Sequence, residues 1–576
     1  MNFATSPVLD LRLPLWRSRL LLVIFAAGFA ALAVRAAYLQ GWNNDFLRAK
    51  GESRYSRVLE ITANRGRISD RNGEVLAMST PVKSIGAIRD EVKLDNAMLA
   101  RLAPLLGISG EDIRKRIQST ESDFVYLKRQ VPPEIADRIA ELRIPGIFQN
   151  REYRRYYPGG EVMAHVLGFT GAEDSGQEGI ELAFQEQLAG KAGSRKVIRD
   201  RMGQIVEDME SIKPAQEGKD LILSIDAKIQ SHAFSQLKAA IDENRAKAGA
   251  VLVLDVSTGE VLALANLPSY NPNNRAHLAG AQLRNRVLTD TFEPGSTMKP
   301  FTIALALEEG KVRPDTMIQT SPGKLTIGRA TISDAHPLGT LSVSQVIQKS
   351  SNVGTSKIAL TLTREDMWEM FNKSGFGSIP SVPFPGAVSG KLRPHNTWRP
   401  IEQVTMSYGY GLSVSLFQLA QAYTIFARDG ELVPVSFVKN SGVVPGRQII
   451  SAETARAVRA MLEAAAGPGG TAPKAQIMGY RVAGKTGTAY KQEGSGYSGH
   501  KYRASFVGFA PVSNPRLVVA VTIDEPSAGK HFGGDVAAPV FAKLMEGALR
   551  SLGVLPDAPM QPVKLPAESE RIEESI

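Results

Sequence analysis

The stretch from Thr291 to Glu309, Thr-Phe-Glu-Pro-Gly-Ser-Thr-Met-Lys-Pro-Phe-Thr-Ile-Ala-Leu-Ala-Leu-Glu-Glu, constrains the fold more than any other. Residues 301 to 307 are apolar on nearly every side, so the helix they form has to lie inside the protein. Glu293, Pro294 and Gly295 read as a turn, Ser296 as the helix start and Gly310 as its C′ residue. A buried helix that opens on a hydroxyl and carries a lysine one turn later is unusual. Positions i and i+3 share a helix face, so Ser296 and Lys299 can touch. Serine is a poor nucleophile until a base takes its proton. Burial and the positive end of the helix dipole both disfavour the Lys299 ammonium, which makes Lys299 the candidate base. The same helix end offers a backbone N–H to an oxyanion.

Ser-x-x-Lys alone is a weak signal, since it occurs six times, at Ser235, Ser296, Ser321, Ser436, Ser498 and Ser527. The other five read as ordinary surface pairs. Ser296 is set apart by two further motifs downstream, Ser350-Ser351-Asn352 and Lys485-Thr486-Gly487-Thr488. Each has a decoy. Ser269-Tyr-Asn271 lies in a Pro/Asn-rich loop, and Lys373-Ser374-Gly375 closes the helical pattern that starts at Glu365. Lys485 instead sits in a segment that reads as a strand.

At 576 residues the chain is long enough for two to four domains. It has no cysteine, which excludes disulfides, thiol chemistry and thiolate metal sites. The net charge of +10 fits an anionic polymer, anionic lipid or nucleic acid. No helix-turn-helix, zinc knuckle or long basic tract favours nucleic acid. The seven histidines show no ligand spacing, so no metal site is expected. Leu20 to Val34 carries no charge and follows Arg12, Arg17 and Arg19. Two readings stand: a signal peptide cleaved after Ala31-Leu-Ala33, or an uncleaved span with Arg35 snorkelling and Tyr38 and Trp42 at the interface. The second is preferred. Residues 1–19 are then a cytoplasmic tail, 20–40 a transmembrane helix, and everything beyond lies outside the cytoplasmic membrane.

Residues 41–215 carry no catalytic constellation and read as a pedestal. Arg65 to Ala77 is a hairpin around Asn72-Gly73, Lys196 to Val206 a second hairpin, Glu178 to Leu188 a helix, and Arg151 to Gly160 a packed loop with cation–π contacts. Residues 216–554 then alternate: a strand at 221–226, a helix at 227–248, strands at 249–256 and 260–265, many helices including 416–427, strands after Lys485, and a closing helix at 537–552. That order predicts an α+β fold, an antiparallel sheet covered by helices. Residues 490–502 read as a Gly/Ser-rich loop, and 555–576 as a disordered tail.

The three motifs together resemble the superfamily of penicillin-binding proteins and serine β-lactamases. Phe292-Glu-Pro-Gly-Ser, Ser351-Asn-Val-Gly354, Gly484-Lys-Thr-Gly-Thr-Ala489, Arg65-Gly-Arg-Ile-Ser-Asp-Arg-Asn-Gly73 and Gly179-Ile-Glu181 resemble class B penicillin-binding proteins, of the division-specific type. The resemblance implies a penicillin-binding transpeptidase domain on an elongated α+β pedestal with one N-terminal membrane helix, in the inner membrane with its catalytic domain periplasmic. It implies peptidoglycan D,D-transpeptidation at the septum, with Ser296 as nucleophile and Lys299 as base. Ser350 would relay a proton and Asn352 hold the donor amide. Lys485, Thr486, Gly487 and Thr488 would bind the substrate carboxylate, and the Ser296 and Thr488 N–H groups would form the oxyanion hole. Stem peptides are the implied substrates and β-lactams the implied covalent inhibitors. A polytopic glycan polymerase and other divisome proteins are the implied partners, and no cofactor is implied. The alternatives are a D,D-carboxypeptidase or β-lactamase-like hydrolase, a β-lactam sensor, or a non-catalytic divisome scaffold.

Overall fold

The computed structural model describes residues 14–42, 56–119, 124–199, 205–276, 278–493, 496–562, 572 and 574. The expected cytoplasmic tail lies outside them up to residue 13, as does most of the expected C-terminal tail beyond 562. An α-helix runs Leu15–Ala37 and continues as a π-helical turn, Tyr38–Trp42. Mean hydropathy reaches 2.3 within Leu15–Gly41, and none of that stretch is buried. By length and composition it can cross a membrane. It starts at Leu15 rather than Leu20, directly after Pro14.

The chain divides into two compact units, one of Met1–Ala63, Pro81–Glu152 and Lys191–Gln216, the other of Asn64–Thr80, Tyr153–Gly190 and Glu217–Ile576. In the first, the strands Ser56–Ile61, Gly193–Arg199 and Ile205–Lys213 form an antiparallel sheet. This contains the hairpin expected near Lys196, whose turn lies outside the described residues. The helices Asn96–Leu106, Gly110–Gln118 and Pro133–Glu141 enclose Leu99, Leu102, Leu106, Ile113 and Ile139. Asp95 and Ser109 cap the first two through the backbone N–H of Met98 and Asp112.

The second unit holds an all-antiparallel five-stranded sheet. Its order is Val261–Leu267, Ala248–Asp255, Leu517–Asp524, Gly496–Ala510, Ala483–Glu493, with every neighbour antiparallel. The central strands are buried on both faces, which is why they read as unbroken apolar runs. The helices Ala227–Glu243 and Ala538–Ser551 share one core with the sheet, and Lys299–Glu308 and Leu416–Ala427 belong to another. The α+β expectation holds. The expected strand at 221–226 is reduced to Leu221–Ile222, and the helix expected to reach Ala248 ends at Glu243. The loop expected at 490–502 is instead the tip of a long hairpin. Strand pairing continues to Glu493 and resumes at Gly496, because Tyr490, Tyr497 and Tyr502 supply β-forming residues between the glycines.

The hairpin at 65–77 forms, with the Asp70 carboxylate accepting from the backbone N–H of Asn72 and Glu74, both at 2.8 Å. The segment expected as a packed loop is a strand, Ile147–Tyr156. Its Arg155 donates to Glu181 at 2.7 Å, and Arg65 donates to the other Glu181 oxygen at 2.6 Å. All three side chains are buried. Arg65 also donates to the Glu181 carbonyl at 2.8 Å, and the expected helix divides at Phe184 into Gly179–Ala183 and Gln185–Leu188.

Candidate active site

Ser296 enters the site from a sharp turn. The short strand Thr291–Phe292 pairs with Val414–Ser415, and Gly295 takes a positive φ of 57° that suits only glycine well. Ser296 lies in a 3-10 turn, Gly295–Met298, and the α-helix itself begins at Lys299. Thr297 Oγ1 donates back to Pro294 O at 2.8 Å, and Tyr423 Oη donates to Thr297 O at 2.9 Å. Phe301 packs against Phe376, Tyr423 and Phe426 behind it. The turn is therefore held from both sides.

Lys299 is fully buried, and its Nζ donates to Ser350 O at 2.5 Å and to Ser350 Oγ at 3.0 Å. Ser350 Oγ in turn donates to Ser296 Oγ at 3.0 Å. The hydrogen-bonded path from Lys299 to Ser296 thus passes through Ser350. Burial, and then the charge of Lys485, push Lys299 well below the ordinary lysine range, against an opposing pull from Asp334 and Glu574.

Ser350 sits at φ 58°, a left-handed conformation costly for a residue with a Cβ. Its two C-terminal neighbours and Asp334 hold it there. Ser351 caps the helix Asn352–Ala359, accepting from Gly354 N at 2.8 Å and donating to Asp334 at 2.7 Å. The other Asp334 oxygen accepts from Val353 N at 3.0 Å. Asn352 is buried, with Nδ2 donating to Ser333 O at 3.3 Å and Oδ1 left without a protein partner. A buried, unsatisfied amide oxygen is available to an N–H brought in by a ligand.

The third motif lies on the edge strand Ala483–Glu493, which has one neighbour in the sheet. The Gly295–Met298 turn packs against its open side. A Cβ on Gly487 would lie 2.6 Å from Pro294 O and 2.6 Å from Ser505 Oγ, so only glycine admits this approach. Lys485 is buried and donates to Thr486 Oγ1 at 3.2 Å, and Thr486 Oγ1 shares a hydrogen bond with Thr471 Oγ1 at 2.9 Å. Burial brings Lys485 down to about 8, opposed by the Glu574 carboxylate. Thr488 Oγ1 accepts from Gly533 N at 2.9 Å and donates to Glu574 at 2.5 Å.

The structure therefore brings Ser296, Lys299, Ser350, Asn352, Lys485, Thr486, Gly487 and Thr488 together. Sequence reasoning missed Asp334, Thr471 and Glu574, which belong to none of the three motifs. The Asp334-Ala-His-Pro337 turn carried no signal of contact with Ser351, because that pairing is made only in space. Among the described residues no group of three or more His, Cys, Asp or Glu is placed to hold a metal ion.

Residues 249–546 match the family described as penicillin binding protein transpeptidase domain, and residues 60–223 the penicillin-binding protein dimerisation domain. The probable peptidoglycan D,D-transpeptidase PenA of Neisseria meningitidis serogroup A is 43% identical over 548 residues, 94% of either chain. The peptidoglycan D,D-transpeptidase FtsI of Escherichia coli K12 is 41% identical over 549 residues, 94% of this chain and 93% of that one. The apo transpeptidase domain of Burkholderia pseudomallei penicillin-binding protein 3 superposes with a TM-score of 0.54 at 54% identity, covering 58% of this chain and 98% of that one.

Proposed function

The chain belongs to the penicillin-binding proteins that join a dimerisation domain to a transpeptidase domain, and from that premise we propose how its residues divide the reaction. It is a peptidoglycan D,D-transpeptidase that works by acyl transfer, and a penicillin target. Ser296 is the nucleophile. The observation that carries this reading is the line of hydrogen bonds from Lys299 Nζ through Ser350 Oγ to Ser296 Oγ, with the lysine buried and biased toward its neutral form.

In the resting arrangement Lys299 donates to Ser350 and Ser350 donates to Ser296. Hydroxyl hydrogens rotate to suit their partners, so loss of one proton from Lys299 lets both bonds reverse. Ser296 Oγ then attacks the carbonyl carbon between the two terminal D-alanines of a stem peptide. Its proton passes to Ser350, and the Ser350 proton passes to Lys299. The Ser296 and Thr488 N–H groups hold the oxyanion. The C–N bond breaks, the relay returns a proton to the departing D-alanine amine, and an ester remains on Ser296. The amine of a second stem peptide attacks that ester, forms the cross-link and frees Ser296. Asn352 Oδ1 accepts from the donor peptide's N–H. Lys485, Thr486 and Thr488 hold its terminal carboxylate, and Gly487 lets the strand lie against the catalytic turn. A β-lactam opens on Ser296 in the same way and leaves the whole drug attached.

The N-terminal helix anchors the protein in a membrane. Arg12, Arg17 and Arg19 at its N-terminal end support an N-terminus in the cytoplasm and a catalytic unit on the periplasmic side of the inner membrane. The reaction serves septal wall synthesis alongside a polytopic glycan polymerase and other divisome proteins, as the family resemblance implies. Residues 41–215 act as the pedestal, 216–554 as the transpeptidase domain and 555–576 as a tail.

Mass spectrometry after brief exposure to benzylpenicillin tests the assignment. A stable adduct on the peptide containing Ser296, absent from Ser296→Ala, is expected. An adduct on another serine, or none on folded protein, overturns it. Rapid loss of the adduct points to a hydrolase instead.

A further inference from the structure

The carboxylate of Glu574, near the C-terminus, lies among the residues assigned to the substrate's carboxylate. One oxygen accepts from Thr488 Oγ1 at 2.5 Å and the other from the backbone N–H of Gly534 at 2.9 Å. Glu574 is 4% exposed. Lys485 acts on it as an opposite charge. The Thr488 hydroxyl, the Gly534 backbone N–H and the nearby Lys485 ammonium together make a site whose chemistry selects a carboxylate.

We propose that Glu574 is a resident, displaceable ligand of this subsite, excluding the terminal carboxylate of a donor peptide or a β-lactam until it leaves. The proposal rests on the assignment of Lys485, Thr486 and Thr488 as the carboxylate-binding residues. A purely structural strut would use donors the reaction leaves idle. Glu574 instead takes the Thr488 hydroxyl and the field of Lys485, and Thr488 Oγ1 has one hydrogen to donate.

Two physical terms set how firmly it sits. Burial opposes the charged form and pushes the Glu574 carboxyl upward despite Lys485, Thr488 and Gly534, so the docked carboxylate carries a desolvation cost. Against that, Glu574 is tethered to the domain it binds. Because Glu574 and the site belong to one chain, docking is intramolecular and runs at an effective concentration rather than a bulk one. A ligand arriving at the site then sees only the fraction of molecules in which Glu574 is away.

The second-order acylation constant with benzylpenicillin, measured on the full chain, tests this. Glu574→Gln and Glu574→Ala are expected to raise it by roughly threefold or more, as the occupied fraction is released. Glu573→Gln is expected to leave it at the wild-type value, and the rate at which the adduct is lost should not change in any variant. A synthetic peptide of residues 568–576 should slow acylation of Glu574→Ala competitively, and the same peptide with Glu574→Gln should not. Wild-type constants in both Glu574 variants overturn the proposal, as does an equal rise in Glu573→Gln, which reports a general charge effect. A fall in the constant with a lowered melting temperature identifies Glu574 as a strut and also overturns it. Failure of the wild-type chain to acylate at Ser296 is a different result and counts against the proposed function itself.

Discussion

Lys299 reaches Ser296 through Ser350: Nζ to the Ser350 Oγ is 3.0 Å, and that Oγ to the Ser296 Oγ is 3.0 Å. The middle motif thus lies on the proposed proton path. Removing that hydroxyl is expected to slow acylation by benzylpenicillin by roughly 10²–10⁴, the usual worth of a positioned acid–base group. Ser350→Gly is the variant of choice, because glycine keeps the φ of 58° without strain. Stopped-flow acylation with a chromogenic β-lactam reads the rate, and an unchanged melting curve separates chemistry from folding. A rate within a factor of about three of wild type would mean that Lys299 works without the relay.

The pH profile of acylation should be a bell. In the proposed mechanism Lys299 acts as base only when neutral, and its lowered pKa means that the neutral form accumulates as pH rises through a value below the ordinary lysine range. In its proposed role Lys485 holds a carboxylate only when charged, and that charge is lost as pH rises through about 8. The alkaline limb should therefore fall near 8 and disappear in Lys485→Arg, whose guanidinium stays charged. Asp334 supports the Lys299 ammonium, so Asp334→Asn should move the acidic limb to lower pH. An alkaline limb that persists unchanged in Lys485→Arg would assign it to another group.

Asp334 also ties the relay residue's neighbourhood together by accepting from Ser351 Oγ and Val353 N. Asp334→Ala removes both bonds at the start of the Asn352–Ala359 helix and should cost about 1–2 kcal/mol of stability. Urea denaturation reads the loss. Acylation should fall as well, because Ser350 then loses what keeps it in a left-handed conformation.

Glu181 is gripped by two buried guanidiniums, Arg65 at 2.6 Å and Arg155 at 2.7 Å. Glu181→Gln leaves both cations without their counter-charge. Breaking a buried ion pair in this way costs roughly 3–5 kcal/mol, so a clear drop in the unfolding midpoint is expected. Replacing all three residues with apolar ones of similar volume should recover much of it.

Exchanging the Leu15–Ala37 helix for an unrelated apolar span should leave β-lactam acylation unchanged and impair septal cross-linking in cells, if the native span contacts a partner. Full cross-linking with the exchanged span would leave anchoring as the helix's one role.

Much of the fold was legible in the sequence because it is local. The buried helix after Ser296, the Asn-Gly hairpin, the sheet strands and the Leu416–Ala427 helix arise from periodicity and turn chemistry within a few residues. Where reading failed, a distant partner decided. Glu181 is buried by its pairing with the distant Arg65 and Arg155, and the pairing of Tyr490 with Tyr502 carries strands through a Gly/Ser-rich stretch.

The sequence by itself determined the chemistry on offer: a serine and lysine one turn apart, a second hydroxyl beside an asparagine, and a Lys-Thr-Gly strand. Only the tertiary structure decided how they connect. It inserted Ser350 between Lys299 and Ser296, set Asp334 under Ser351, and brought Glu574 to Thr488. The physical reason is that burial and interatomic distance set both proton affinity and hydrogen bonding, and both are properties of the packed chain, between residues that the sequence separates widely.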